Sequence, residues 1–184
     1  MKKTKNLCFL VVLFLISGIS WSQINQFRKI NDKGIANMVF ANKTIEKGQE
    51  SNTSLKNSFA ENEAIYARCY FPKPFGEYKA TSDEKYYIDL YLDGGFVERL
   101  NQSYPDATWQ QISLYIINTG DDDFKNLENA LINAGSGEHK LKVSVGIERY
   151  MKTKEVIQDD GSIKKEKVYN MLYLSDGEIT ITVK

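Results

Sequence analysis

The chain has 184 residues, with 24 basic and 24 acidic side chains, one histidine and two cysteines. That length suits one domain with a real hydrophobic core. The charge balance lacks the basic excess of a nucleic-acid-binding surface, and two cysteines cannot build the disulfide framework of a small secreted scaffold.

Residues 1–22 have the order of a signal peptide. Lys2, Lys3 and Lys5 precede an apolar run at 7–19, and Ser20-Trp21-Ser22 places small residues before Gln23. The run is too short to span a bilayer, which takes about 20 apolar residues. A single domain over residues 23–184 is therefore expected, exported to the periplasm or beyond and left with 21 basic and 24 acidic side chains. Cys69 is then the only cysteine, so no internal disulfide is expected.

Residues 23–33 read as a polar leader and 35–41 as a first strand. Residues 47–53 have loop composition, and 54–59 read as a second strand turning through 60–63. Residues 64–71 form the cleanest strand, with Ile65, Ala67, Cys69 and Phe71 alternating against Tyr66, Arg68 and Tyr70. Successive side chains of a strand point to opposite faces, so this pattern buries one face and places Cys69 in the core. Pro72 and Pro74 end it. Residues 86–92 repeat the pattern, Ile88, Leu90 and Leu92 against Tyr87, Asp89 and Tyr91, before a turn at Asp93-Gly94-Gly95. A further strand is expected over 109–118.

One helix follows. Asp121 or Asp122 can cap it, Phe124, Leu127 and Leu131 recur at helical spacing, and Gly135 stops it. Leu141, Val143, Val145 and Ile147 then mark another strand. Two hairpins close the reading, one centred on Asp159-Asp160-Gly161-Ser162 with lysine-rich arms, the other on Ser175-Asp176-Gly177. Asp-Gly between alternating runs is a strong hairpin signal, and lysines on an edge discourage pairing with another chain. Some eight short strands with one short helix predict an all-β fold, an antiparallel β-sandwich, with a closed barrel around a ligand cavity as the competitor.

Two fragments carry a resemblance. Phe59-Ala-Glu-Asn-Glu-Ala-Ile-Tyr-Ala-Arg68 resembles the entry into a core strand of immunoglobulin-like domains in exported bacterial proteins. Residues 127–145, with Gly137-Glu138-His139 leading into an alternating strand, are similar to the late part of such domains. The resemblance implies an immunoglobulin-like sandwich, found in adhesive, sugar-binding or envelope-assembly roles. It transfers no functional residue, and the Cys–Trp–Cys arrangement of antibody domains is absent.

Catalytic signals are sparse. His139 stands at a loop-to-strand junction without a Gly-x-Ser-x-Gly elbow, which fits a histidine hydrogen-bonded to a turn. The Cys/His spacings of a zinc site are absent. Asp121-Asp122-Asp123 offers oxygens for calcium, yet consecutive residues cannot converge on one ion, so a helix cap is expected. No cofactor or metal is expected.

The tyrosines say more. Tyr66, Tyr70, Tyr87, Tyr91 and Tyr115 fall on the faces opposite the aliphatic core, and a tyrosine ring with its hydroxyl suits sugar stacking or an interface anchor. The alternative is that loops or the helix cover these faces. The reading is a non-catalytic exported module that binds a glycan or an envelope protein. A hydrolase of an envelope polymer using paired carboxylates and a small-molecule carrier stand as alternatives.

Overall fold

The computed structural model describes residues 26–78, 85–103, 106–117 and 124–184. The expected signal segment and the cap at Asp121–Asp123 lie outside the described residues. Eight strands are formed: β1 (Ala36–Ala41), β2 (Ser58–Ala60), β3 (Ile65–Tyr70), β4 (Lys85–Leu92), β5 (Gly95–Ser103), β6 (Gln111–Ile117), β7 (Gly137–Ile157) and β8 (Ile163–Val183). One α-helix is described, α1 (Lys125–Ala134), and none is long and apolar enough to cross a membrane.

The expectation of a mostly β chain with one helix is met, but two separate antiparallel sheets are not what the hydrogen bonds describe. They run through one sheet in the order β5-β4-β7-β8-β1-β3-β6, with β2 also on β8, and this sheet curls into a half-barrel. It is mixed, because β1 and β2 both pair parallel to β8. These two short strands share one edge of β8, β1 at Ser175–Asp176 and β2 at Thr180–Thr182.

The alternating pattern explains the core. Ile65, Ala67 and Cys69 of β3, Ile88 and Leu90 of β4, and Leu141, Val143, Val145 and Ile147 of β7 are all buried in one cluster. Leu127 and Leu131 of α1, a turn apart, join it with Phe124 as the helix packs on β4 and β5. Gly135 ends the helix in a left-handed conformation, φ 83°, which glycine adopts without a Cβ clash.

The second terminal hairpin is not formed. β8 runs unbroken through Ser175-Asp176-Gly177, which pairs with Val143–Val145 of β7. The glycine there serves close approach: a Cβ on Gly177 would stand 2.7 Å from the Phe40 ring and 2.9 Å from the Met38 Cβ. A strand glycine against a neighbouring element carries the same letters as a turn glycine. The first hairpin does form, with Ile157 opposite Ile163 and Gly161 at φ 78°. The strand expected over 54–59 shrinks to Ser58–Ala60, and β5 was not anticipated.

Consequently β7 and β8 make one hairpin of two 21-residue strands. Its first half, up to Ile147 and from Leu172, packs on the core, and its second half is a two-stranded arm exposed along most of its length.

Candidate functional site: a polar network beside an open cavity

The face of β4 away from the core carries Tyr87, Asp89 and Tyr91. Register sets Asp89 opposite Arg99 of β5 and opposite Ser144 of β7. The Asp89 side chain is wholly buried, and a buried carboxylate is tolerated only when its oxygens are satisfied. Arg99 satisfies them, donating from Nε to Oδ1 at 2.6 Å and from a terminal nitrogen to Oδ2 at 2.8 Å. Tyr173 of β8 donates its hydroxyl to Oδ2 at 2.7 Å, and the Tyr91 hydroxyl meets the Tyr173 hydroxyl at 3.1 Å. The Arg99 guanidinium also lies 5.3 Å from the Tyr87 ring centre.

Burial by itself would raise the Asp89 carboxyl. The bonds from Arg99 and Tyr173 outweigh it and hold the group below its ordinary value, so it stays ionised near neutral pH. Burial, with the bonds to Tyr91 and Asp89, pushes the Tyr173 hydroxyl up and keeps it a donor. A carboxylate held in this way fixes the positions of Arg99 and Tyr173 and, through the Tyr173 hydroxyl, of Tyr91.

Beside it a cavity of about 480 Å³ opens, lined by Asn31, Asp32, Lys33, Ile35, Tyr91, Lys142, Ser144, Tyr173 and Asp176. The turn at 31–35 forms one wall and is locked by its own backbone. The Asn31 side chain accepts from the amides of Lys33 and Ile35 at 3.0 Å each, and Gly34 takes φ 74°. Asn37 ties the preceding residues down through Lys29 and Phe27. Lys142 stands 3.9 Å from the Asp176 carboxylate on the opposite side.

The five tyrosines expected to share one binding face divide into three settings. Tyr87 and Tyr91 lie half-buried at the network just described. Tyr66 and Tyr115 stack on each other, ring centres 4.8 Å apart, and Tyr115 meets Phe124 edge-on at 6.4 Å. Tyr70 is fully buried and donates its hydroxyl to Glu50 at 3.1 Å under the segment over 42–57. Arg68 is buried there too, donating to the Ile45 carbonyl. Cover by that segment removes Tyr70 from any surface.

Most members of the site escaped sequence reading. Tyr173 was hidden by the hairpin expected at 175–177; reading β8 as continuous sets it on one face with Tyr169 and Met171. Arg99 lay in the unrecognised strand β5, and Asn31 and Asp32 in what looked like a leader.

Elsewhere, His139 does bond a turn. Its Nδ1 lies 2.7 Å from Asp93 Oδ2 and its Nε2 3.0 Å from the Gly135 carbonyl. Both neighbours are acceptors, so the imidazolium donates to both, and its bonds to Asp93 and to the Gly135 carbonyl raise its pKa. Asp93 also accepts the Lys140 amide at 2.8 Å, joining the β4–β5 turn to β7. Cys69 is inaccessible and burial pushes its thiol far up, which makes it an unreactive core side chain. No cluster of three metal-ligating side chains occurs among the described residues. Compared with protein-family models, curated proteins and solved structures, the chain matches none of them, so the site stands on its own geometry.

Proposed function

We propose that the chain is an exported, non-catalytic binding module holding a neutral glycan in the cavity on the outer face of β4, β7 and β8. The observation that carries this reading is the composition of the lining. Tyr91 and Tyr173 bring aromatic rings, and Asn31 and Ser144 bring an amide and a hydroxyl. Asp32 and Asp176 offset Lys33 and Lys142, which leaves the wall uncharged overall. Rings suit the apolar faces of sugars, and groups of both polarities suit their hydroxyls. The volume lies within the roughly 300–1,000 Å³ of small-molecule sites. Asp89 and Arg99 support the reading from behind, since they hold both tyrosines in place before any ligand arrives.

Export, to the periplasm or outside the cell, rests on the basic start and apolar run of residues 1–22. In this reading the flanks β5-β4-β7 and β1-β3-β6 of the curled sheet act as the two layers of an immunoglobulin-like sandwich. Titration calorimetry of the mature chain with cello-, malto-, manno- and chito-oligosaccharides tests the proposal. We expect binding by at least one series and a tenfold or greater loss on Tyr91→Ala. Binding by none, or binding indifferent to Tyr91→Ala in a folded variant, overturns it.

A hydrolase reading has one observation behind it: Asp32 and Asp176 line the same cavity, and glycosidases need two carboxylates about 5 to 10 Å apart. New reducing ends from the same oligosaccharides, abolished by Asp32→Asn or Asp176→Asn, would make the protein an enzyme.

A further inference from the structure

The arm raises a separate question. A two-stranded ribbon is marginally stable alone in water, yet here it extends beyond the core over the nine residues from Met171 to Ile163, about 26 Å at about 3.3 Å per residue step. Its two faces differ. Residues 163 to 173 of β8 alternate regularly, so Tyr173, Met171, Tyr169 and Ile163 share one side, and Tyr150 and Ile157 are directly opposite Tyr169 and Ile163. The other side carries Arg149, Lys152, Lys154 and Lys164 against Glu166 alone among acids.

The first side is continuous with the cavity. Gly146 lets it run on: a Cβ there would stand 2.9 Å from Met171 Sδ and 3.1 Å from the Tyr173 ring, so both side chains lie across the glycine. Outward from Tyr173, whose ring lines the cavity, come Met171, then Tyr150 and Tyr169 with ring centres 6.2 Å apart, then Ile157 and Ile163. Tyr150 is 47 % exposed and Ile163 64 %. Thr153 opposite Lys167 and Glu155 opposite Lys165 separate the tyrosine pair from the isoleucine pair, so the apolar groups form two patches, and the inner one, Met171 with Tyr150 and Tyr169, adjoins the cavity and marks an interaction surface.

Charge selects the occupant. Along this side Lys165 and Lys167 are matched by Glu148 and Glu155, a balance like that of the cavity wall. A polyanion would favour the basic reverse side. Addition of a strand from another chain is opposed by the bulge between Tyr150 and Lys152 and by the lysines along both strands.

We infer that the cavity is one end of an extended site and that the ligand is a linear neutral polysaccharide running from Tyr91 and Tyr173 along the aromatic side of the arm. This rests on the glycan reading above and adds chain length to it. Spaced rings along a ribbon grip successive sugar units, so affinity should grow with the number of units the arm can reach.

The test uses the mature chain and the same four oligosaccharide series at two and at eight units. Eight units should bind at least tenfold tighter than two. The double substitution Tyr150→Ala with Tyr169→Ala should remove that tenfold gain and leave two-unit binding unchanged, whereas Tyr91→Ala weakens both. Should the double variant unfold the arm, hydrogen exchange on the unaltered chain decides: amides of 148–157 should slow with eight units and stay unchanged with two. Equal affinity at both lengths, with Tyr91→Ala still damaging, overturns the extended site and leaves the cavity reading intact. Absence of binding to any of the four series by the unaltered chain overturns both the cavity reading and the extended site. A chain that dimerises through Tyr150 and Tyr169 without responding to sugar length makes the patch a contact between copies and also overturns the inference.

Discussion

Strands β3 and β4 carry the same outward pattern, a charged residue between two tyrosines: Tyr66, Arg68 and Tyr70 on one, Tyr87, Asp89 and Tyr91 on the other. In both, the central charge is buried. Their surroundings differ. On β3 the segment over 42–57 closes the face, so Tyr70 and Arg68 belong to the interior, and Arg68 Nε makes no hydrogen bond among the described residues. On β4 the charge is fully paired, and the neighbouring tyrosine borders an open cavity. A single local pattern therefore yields a structural seam in one place and a candidate binding wall in another, according to what the rest of the chain lays over it.

The largest test of that contrast is stability. Tyr70→Ala empties a filled interior position and should cost about 3–5 kcal/mol, whereas Tyr91→Ala, half-buried beside the cavity, should cost about 1 kcal/mol. Urea denaturation of both variants measures the gap. Comparable losses would show that the two faces are equally interior.

Next comes the buried pair. Arg99→Ala leaves the Asp89 carboxylate with Tyr173 alone and should cost on the order of 2 kcal/mol. That is below the roughly 3–5 of a wholly buried pair, because the Arg99 side chain is 36 % exposed and solvent screens it. Asp89 has a folded pKa below its unfolded value, so its contribution is complete above the unfolded value and is lost as pH falls through the folded one. Arg99→Ala should move acid unfolding to higher pH, as followed by circular dichroism. An unshifted acid transition would show that Arg99 does not hold the charge.

The smallest effect belongs to the pair outside both faces. His139 is raised, so its contribution is complete below its unfolded value near 6.5 and is lost as pH rises through the folded value. Asp93 is lowered chiefly by its bond to His139, and its contribution disappears as pH falls. The urea midpoint should therefore decline slightly on the alkaline side of 6.5, and His139→Gln should flatten that decline. A decline equally steep in the variant would place its source elsewhere.

Much of the core was legible from the chain alone. Ile65, Ala67 and Cys69, then Ile88 and Leu90, then Leu141, Val143 and Val145 alternate because a strand buried on one face must, and each is buried as its parity requires. The helix and its stop at Gly135 were legible for the same kind of reason, since φ 83° costs glycine nothing. The network was half legible. Tyr87, Asp89 and Tyr91 stood on one face, while their partners Arg99 and Tyr173 lie 10 and 84 residues away from Asp89.

By itself, then, the sequence determined the strand parity, the helix, the apolar inventory of the core and the absence of a disulfide framework, because those depend on neighbours a few residues apart. Only the tertiary structure decided that Gly177 is a contact and not a turn, that β1 and β2 pair parallel to β8, that Tyr70 is covered and that Tyr173 completes the wall beside Tyr91. Each of those depends on which distant segment comes within a few ångströms, and local pattern holds no information about that distance.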